Sequence, residues 1–184
     1  MPDDLKIKET PVLATVSRSE LLADGSDVRF RQLVHDLLAF SSRLQEIRGR
    51  FGAFVGLTGI QYTILITVRH LGGDDGVGIK SVAEHLSLSS PFVTIETKKL
   101  IAAGLLIKRA DSEDRRRVRL TLSAEGEARL TRLLPMQRQV NDALFASLDA
   151  QDFERLAAMA AELKEDAGKA LRLAGFLAAE SADD

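Results

Sequence analysis

No cysteine occurs among the 184 residues. This excludes disulfides, thiolate metal ligands, a thiol nucleophile and a thiol-oxidation trigger, and the chain needs no oxidising compartment. Long apolar runs are also missing. No window approaches 18 uncharged apolar residues, so no transmembrane helix is expected. The opening stretch, MPDDLKIKETPVLATVSRSE, lacks the apolar core of a secretory signal. A soluble, cytoplasmic protein without a membrane partner is the expectation. Histidine is scarce: His35, His70 and His85 stand far apart, with no metal-ligand spacing among them. The glycine-rich GGDDGVG at 72–78 lacks the lysine and spacing of a phosphate-binding loop and reads as a turn. No Ser-His-Asp arrangement can be argued. No catalytic residue, bound metal or cofactor is expected, and the chain is not expected to be an enzyme.

What charge there is, is unevenly placed. The formal net charge is −2, yet residues 80–122 hold nine Lys/Arg against five Asp/Glu, while from 149 onward nine acids face four bases. A basic middle between acidic ends suits a surface aimed at a polyanion, although a solvated charged face gives the same count.

The apolar spacing predicts a mainly α chain with one small β-hairpin. Residues 1–26 are weakly periodic and read as an N-terminal extension. Over 27–56 a helix and linker are expected, with Phe30, Leu33, Val34, Leu37, Leu38, Phe40, Leu44 and Ile47 at helical spacing. Thr58 with Gln61 three residues later has the form of a capping box opening the next helix, whose stripe is Ile60, Ile64, Leu65, Val68 and Leu71. A short helix follows over IKSVAEHLSLSS, then a tight turn at Leu88. Ser89 or Ser90 caps a second helix that starts at Pro91 and stops at Gly104, with Val93, Thr97, Leu100 and Ile101 facing inward. LLIKR and RVRLTL are short β-prone runs joined by an acidic and basic turn. Ser123 then opens a long helix containing Pro135, and Asp149 opens the last one. The expected organisation is an extension (1–26), a dimerisation helix and linker (27–56), a winged helix-turn-helix (57–122), two C-terminal dimerisation helices (123–177) and a frayed tail (178–184).

Two short helices with a tight turn, followed by a hairpin, have the form of a winged helix-turn-helix. A helix fits the major groove of B-form DNA and can set its N-terminal residues on base edges. Ser90, Phe92, Thr94, Ile95 and Lys98 would leave the inward stripe on the outer side. Hydroxyls can meet base edges, Phe92 and Ile95 a thymine methyl, and Lys98 and Lys99 phosphates. At the hairpin tip, DSEDRRRVRLTLS (111–123) packs three acids and four arginines into thirteen positions. Such arginines can enter a narrow minor groove. Asp114 can brace the guanidinium of Arg116 two residues away, and Arg115 and Arg117, on the strand's other side, can serve phosphates or pair with Asp111 and Glu113. A merely solvated tip has the same composition, and helix pairs with tight turns occur in proteins that bind nothing. An Mg²⁺ nuclease site on the three acids is a third option, disfavoured because an exposed tip rich in arginine is a poor metal cage.

Over 57–126 the ordered set LTGIQYTILITVRHL, IKSVAEHLSLSSPFVTIETKKLIAAGLLIKR and DSEDRRRVRLTLSAEG resembles the multiple antibiotic resistance regulator (MarR) family. The Leu-Thr-x-x-Gln helix start, the GLLIKR strand entry and the Asp-Arg-Arg wing followed by Leu-Ser-x-x-Gly carry the likeness, and with the flanking helices it spans about 27–177. The resemblance implies a homodimeric transcriptional regulator on a near-palindromic operator in double-stranded DNA, and a repressor is the expectation. It implies that the outer helices intertwine, that Asp114 and Arg116 form the minor-groove finger, and that a small aromatic or anionic effector can bind between dimer helices and winged domain. The chain departs from the family at Glu96, where an apolar residue is usual, at Ile95, and at Pro91-Phe92. Phe40, Arg43, Leu44, Ile47, Tyr62, Ile66 and Arg69, with Phe51 and Phe54, could line an effector pocket with Arg43 or Arg69 as anion anchor, or simply fill the core. The alternative from another class is a dimeric protein-interaction module whose winged fold no longer binds DNA, an option that Glu96 and the acidic wing residues favour.

Overall fold

The computed structural model describes residues 14–73, 75–110 and 118–182. Among the described residues a short 3-10 helix (Ser19–Leu21) precedes six α-helices and three strands, in the order α1 (Val28–Phe54), α2 (Gly59–Gly72), β1 (Val77–Gly78), α3 (Ile79–His85), α4 (Ser90–Ala102), β2 (Leu106–Ala110), β3 (Val118–Leu122), α5 (Ala124–Leu144) and α6 (Ala150–Glu180). The chain divides into two compact units, the boundary falling between Leu133 and Leu134 inside α5.

In the first unit the capping chemistry sets the helix limits. The Gln61 amide donates to Thr58 Oγ1 (3.3 Å) and the Thr58 amide donates to Gln61 Oε1 (3.2 Å), closing the expected capping box of α2. Ser89 is the cap of α4, accepting from the Phe92 amide at 3.4 Å. Pro91 therefore stands second in the helix rather than first, and its missing N–H is still one of the unpaired donors of the first turn. At the far end Gly104 takes φ +72°, and the Gly104 and Leu105 amides donate to the Ile101 and Leu100 carbonyls at 2.9 Å. This is a Schellman closure. The α3–α4 turn uses the same pair of bonds with Ser87 in the left-handed region, φ +54°. Ser123 Oγ accepts from the Gly126 amide at 3.0 Å and donates to the Gly104 carbonyl at 2.6 Å, so one hydroxyl starts α5 and ties it to the end of α4.

The sheet differs from the expected hairpin. Val77 and Gly78, inside the segment expected to be only a turn, pair antiparallel with Leu120 and Arg119, giving three strands in the order β1-β3-β2. Two residues are too few for alternation to show. Gly76, φ +74°, brings this strand in, and a Cβ there would lie 2.9 Å from both the Leu120 carbonyl oxygen and Thr121 Cγ2. The core joins Ile64, Leu65 and Val68 of α2 to Val82, Val93, Leu100, Leu105, Leu106, Leu120, Leu130 and Leu133, all buried. Each such aliphatic side chain stabilises the fold by about 1.5–3 kcal/mol. Leu71, expected on the stripe, is instead exposed.

At the α1–α2 corner the backbones meet without side chains. A Cβ on Gly59 would lie 3.1 Å from Gly49 Cα, and one on Gly52 would lie 2.7 Å from the Thr58 carbonyl oxygen. The segment before α1 is held by Asp27, a buried carboxylate whose Oδ2 accepts from the Thr15 amide and hydroxyl at 2.7 Å, while Arg31 Nη1 lies 2.7 Å from Oδ1. The Thr15 amide, then its hydroxyl, hold the Asp27 carboxyl below the ordinary value against burial, with Arg31 adding to them. Most of the helically spaced apolar side chains of α1 are exposed, Leu33, Val34, Leu37, Leu38 and Phe40 among them.

In the second unit the end of α5 and the whole of α6 are joined at Asp149, whose Oδ1 accepts from the Asp152 amide at 2.8 Å. None of the 31 residues of α6 is buried, and the helix continues through Glu180, into the segment expected to fray.

Substitution at the corner tests this packing. Gly52→Ala is expected to destabilise the chain by about 1–3 kcal/mol through the backbone clash. Gly49→Ala, whose own Cβ meets open space, is expected to be neutral or stabilising by up to about 1 kcal/mol. Urea unfolding of both variants checks the pair, and equal effects would contradict the described approach.

Candidate nucleic-acid interface

Helix α4 has two unlike sides. Val93, Glu96, Thr97 and Leu100, spaced i, i+3, i+4 and i+7, are all buried. Ser90, Phe92, Ile95 and Lys98 are exposed on the other side, Ile95 at 54% and Phe92 at 39%. Thr94 is half-buried and its hydroxyl donates to the Ser90 carbonyl at 2.8 Å, leaving its oxygen as an acceptor. The helix N-terminus thus offers two hydroxyls, two apolar side chains and one ammonium on an outward surface.

The buried stripe includes a carboxylate, Glu96, at the position where the resembled family usually has an apolar residue. Glu96 is only 6% exposed. Its Oε1 lies 2.6 Å from Lys99 Nζ, and its Oε2 accepts from Gln61 Nε2 at 3.1 Å. Gln61 is also the capping-box residue of α2, so Thr58, Gln61, Glu96 and Lys99 form one chain of bonds from the start of α2 to the middle of α4. The Lys99 ammonium holds the Glu96 carboxyl below the ordinary glutamate range, the Gln61 amide acts in the same direction, and burial opposes both. The spacing of Glu96 three residues after Val93 and three before Lys99 was the available signal. Lys99, expected on phosphate, is engaged by its own helix.

The wing base is described and its tip is not. Strands β2 and β3 pair in register from Leu106↔Leu122 to Ala110↔Val118. Asp114, Arg115, Arg116 and Arg117 lie outside the described residues. Arg119 Nη1 donates to the Gly76 carbonyl at 3.2 Å, tying the wing base to the loop before β1.

The residues considered for an effector pocket differ widely in exposure. Tyr62 is fully buried, its ring edge-on to Phe51 at 5.8 Å, with the Arg48 guanidinium 5.4 Å from the ring centre. It fills the core, and burial pushes its hydroxyl pKa up, partly opposed by Arg48. Leu44, Ile47 and Ile66 are half-buried and Phe40 and Phe54 exposed. Arg43 lies 3.5 Å from Glu46 and Arg69 lies 3.3 Å from Glu127. His70 and His85, far apart in sequence, come together with ring centres 6.0 Å apart. Among the described residues no group of three or more His, Cys, Asp or Glu is placed to hold a metal ion, and no single helix is long and apolar enough to cross a membrane.

The pH dependence of folding tests the Glu96 network. A depressed carboxyl pKa means stability that is present above the ordinary value and lost as the pH falls below about 4.3. Glu96→Gln is expected to unfold at a pH-dependent midpoint that declines less steeply between about pH 5 and pH 3 than in the parent. Parallel acid profiles would contradict the network.

Residues 55–117 match the model of the MarR family. Three solved structures share the architecture. The transcriptional regulator SlyA is 15% identical with a TM-score of 0.62, over 74% of this chain and 94% of that one. The transcription regulator MarR from Oenococcus oeni PSU-1 is 18% identical with a TM-score of 0.61, over 72% and 98%. BpsR of Bordetella bronchiseptica, whose DNA binding is regulated by 6-hydroxynicotinic acid, is 22% identical with a TM-score of 0.58, over 72% and 98%. At these identities the likeness is one of fold. No curated protein matches the chain.

Proposed function

We propose, from the match of residues 55–117 to the model of the MarR family, that the protein is a homodimeric, sequence-specific DNA-binding transcriptional regulator. It acts as a repressor on a near-palindromic operator. The observation that carries this reading is the two-sided α4: an inner face fixed by Val93, Thr97, Leu100 and the Glu96 network, and an outer face of Ser90, Phe92, Thr94, Ile95 and Lys98. Those are the residue types that meet base edges, thymine methyls and phosphates in a major groove.

The dimer proposal is supported by apolar surface. Leu33, Leu38 and Phe40 of α1 and Phe153, Met159, Leu163, Leu171 and Phe176 of α6 are exposed, Leu38 at 63% and Phe176 at 60%. Faces of this size call for a partner. A two-fold dimer would set two α4 helices about 34 Å apart, one turn of DNA. The wing supplies Arg115, Arg116 and Arg117, with Arg116 as the minor-groove finger braced by Asp114. Lys99 reaches phosphate only by leaving Glu96. Release by a small aromatic or anionic ligand is the regulatory part of the proposal, and the effect of 6-hydroxynicotinic acid on the Bordetella relative supports that ligand class.

The competing interaction-module reading drew on Glu96 and the acidic wing residues, of which the latter lie outside the described residues. The Glu96 carboxylate, turned inward and held by Lys99 and Gln61, offers phosphate no opposition. Selection from random duplex oligonucleotides separates the two: the regulator enriches one palindrome, and an interaction module enriches none.

Arg116→Ala is expected to weaken operator binding at least about ten-fold while dimer and melting temperature stay nearly unchanged. Equal gel-shift titrations of variant and parent would refute the wing assignment. Lys98→Ala is expected to weaken binding to all sequences and flatten the slope of log affinity against log salt by about one. An unchanged slope would place Lys98 away from phosphate.

A further inference from the structure

We propose that α4 recognises its duplex through methyl groups. Phe92 and Ile95 meet the C5-methyl groups of thymines at neighbouring steps of each operator half-site, and these apolar contacts, rather than hydrogen bonds, carry the base discrimination. The proposal rests on the DNA-binding reading and deepens it, naming the feature of the duplex that is recognised.

Hydrogen-bond donors are scarce on the outer side of this helix. The Thr94 hydroxyl proton is spent on the Ser90 carbonyl at 2.8 Å. The Lys99 ammonium is held 2.6 Å from Glu96 Oε1. In the first turn Pro91 has no N–H, and the Phe92 amide donates to Ser89 Oγ at 3.4 Å. The Ser90 hydroxyl and, one turn beyond Ile95, the Lys98 ammonium remain. Arginine, asparagine and glutamine are the usual side chains for bidentate bonds to purine edges. The segment SPFVTIETKKLIA that forms α4 contains none of the three.

What the face does offer is apolar. Pro91, Phe92 and Ile95 are all exposed, Phe92 at 39% and Ile95 at 54%. Ile95 stands three residues after Phe92 and four after Pro91, so the three are neighbours on one side of the helix. Cβ atoms three residues apart are separated by about 5–6 Å, and successive bases of one strand by about 3.4 Å. Phe92 and Ile95 therefore span neighbouring base steps. The apolar group that base pairs present in the major groove is the thymine C5-methyl. Over a G·C pair the same two side chains would take the guanine N7 and O6 and the cytosine amino group out of water without bonding them. Lys98, next along the outer side, supplies attraction to phosphate that is indifferent to sequence. Attraction and discrimination thus fall to different side chains of one helix.

The test uses the full chain and the duplex that it enriches from a random pool. Each thymine of a half-site is replaced in turn by deoxyuridine, which removes only the methyl group, and affinity is read by gel shift. At a contacted position the change is expected to weaken binding about four-fold in one half-site and about fifteen-fold in both, with the slope of log affinity against log salt unchanged. Phe92→Ala and Ile95→Ala are expected to keep the parent's melting temperature, because both side chains are exposed. Each variant is expected to lose the deoxyuridine penalty at its own position and to keep it at the other. Deoxyuridine tolerated at every thymine, or the same penalties in the parent and both variants, would overturn the proposal while an enriched palindrome leaves the DNA-binding reading standing. Enrichment of no duplex at all would overturn both.

Discussion

A helix can read a groove only if its other side is fixed, and here that side is fixed partly by a buried charge. Val93, Thr97 and Leu100 supply apolar contact, but apolar contact alone is not directional. Glu96 adds direction, because its two oxygens are committed to Lys99 and Gln61. Gln61 is in turn committed to the cap of α2. Taking a carboxylate out of water is costly unless its lone pairs are filled, so the network persists only when α2 and α4 keep their relative placement. The outward set Ser90, Phe92, Ile95 and Lys98 inherits its orientation from that constraint.

The same logic of satisfied and unsatisfied surface divides the rest of the chain. Around α2, α3, α4 and the sheet, apolar side chains are covered by their own neighbours. Along α1 and α6 they are not, and no residue of the 31 in α6 is buried. A helix of that length has little tertiary support in one copy of the chain. In the proposed dimer the exposed leucines and phenylalanines supply it, and the long helices serve as a scaffold that sets the spacing of the reading surfaces rather than as part of those surfaces.

Features that depend on residues three or four apart were legible in the sequence. The Thr58–Gln61 box, the Gly104 stop, the Ser123 and Asp149 caps and the α3–α4 turn are all local bonds, and each side chain involved is specific to its task. Features that depend on distant segments were not. Strand β1 exists because Val77 and Gly78 meet Leu120 and Arg119, some forty residues away. The Glu96–Gln61 bond, the approach of His70 to His85 and the unpartnered Thr121 hydroxyl are likewise products of folding. The MarR resemblance carried the architecture well, yet it marked Glu96 as an oddity, because it describes which residue is usual and not what a different one can bond to. The surroundings of Tyr62 were illegible for a related reason. Helical spacing left Tyr62 off the stripe of α2, and it could not show that Phe51 and Arg48 meet the ring.

The central claim, that two copies of the chain hold paired reading helices on one duplex, is tested most directly by fluorescence anisotropy with a labelled operator at several salt concentrations. Two chains per duplex, with affinity falling steeply as salt rises, are the expected result. Saturation at one chain per duplex, or no binding to any duplex in dilute buffer, would contradict it.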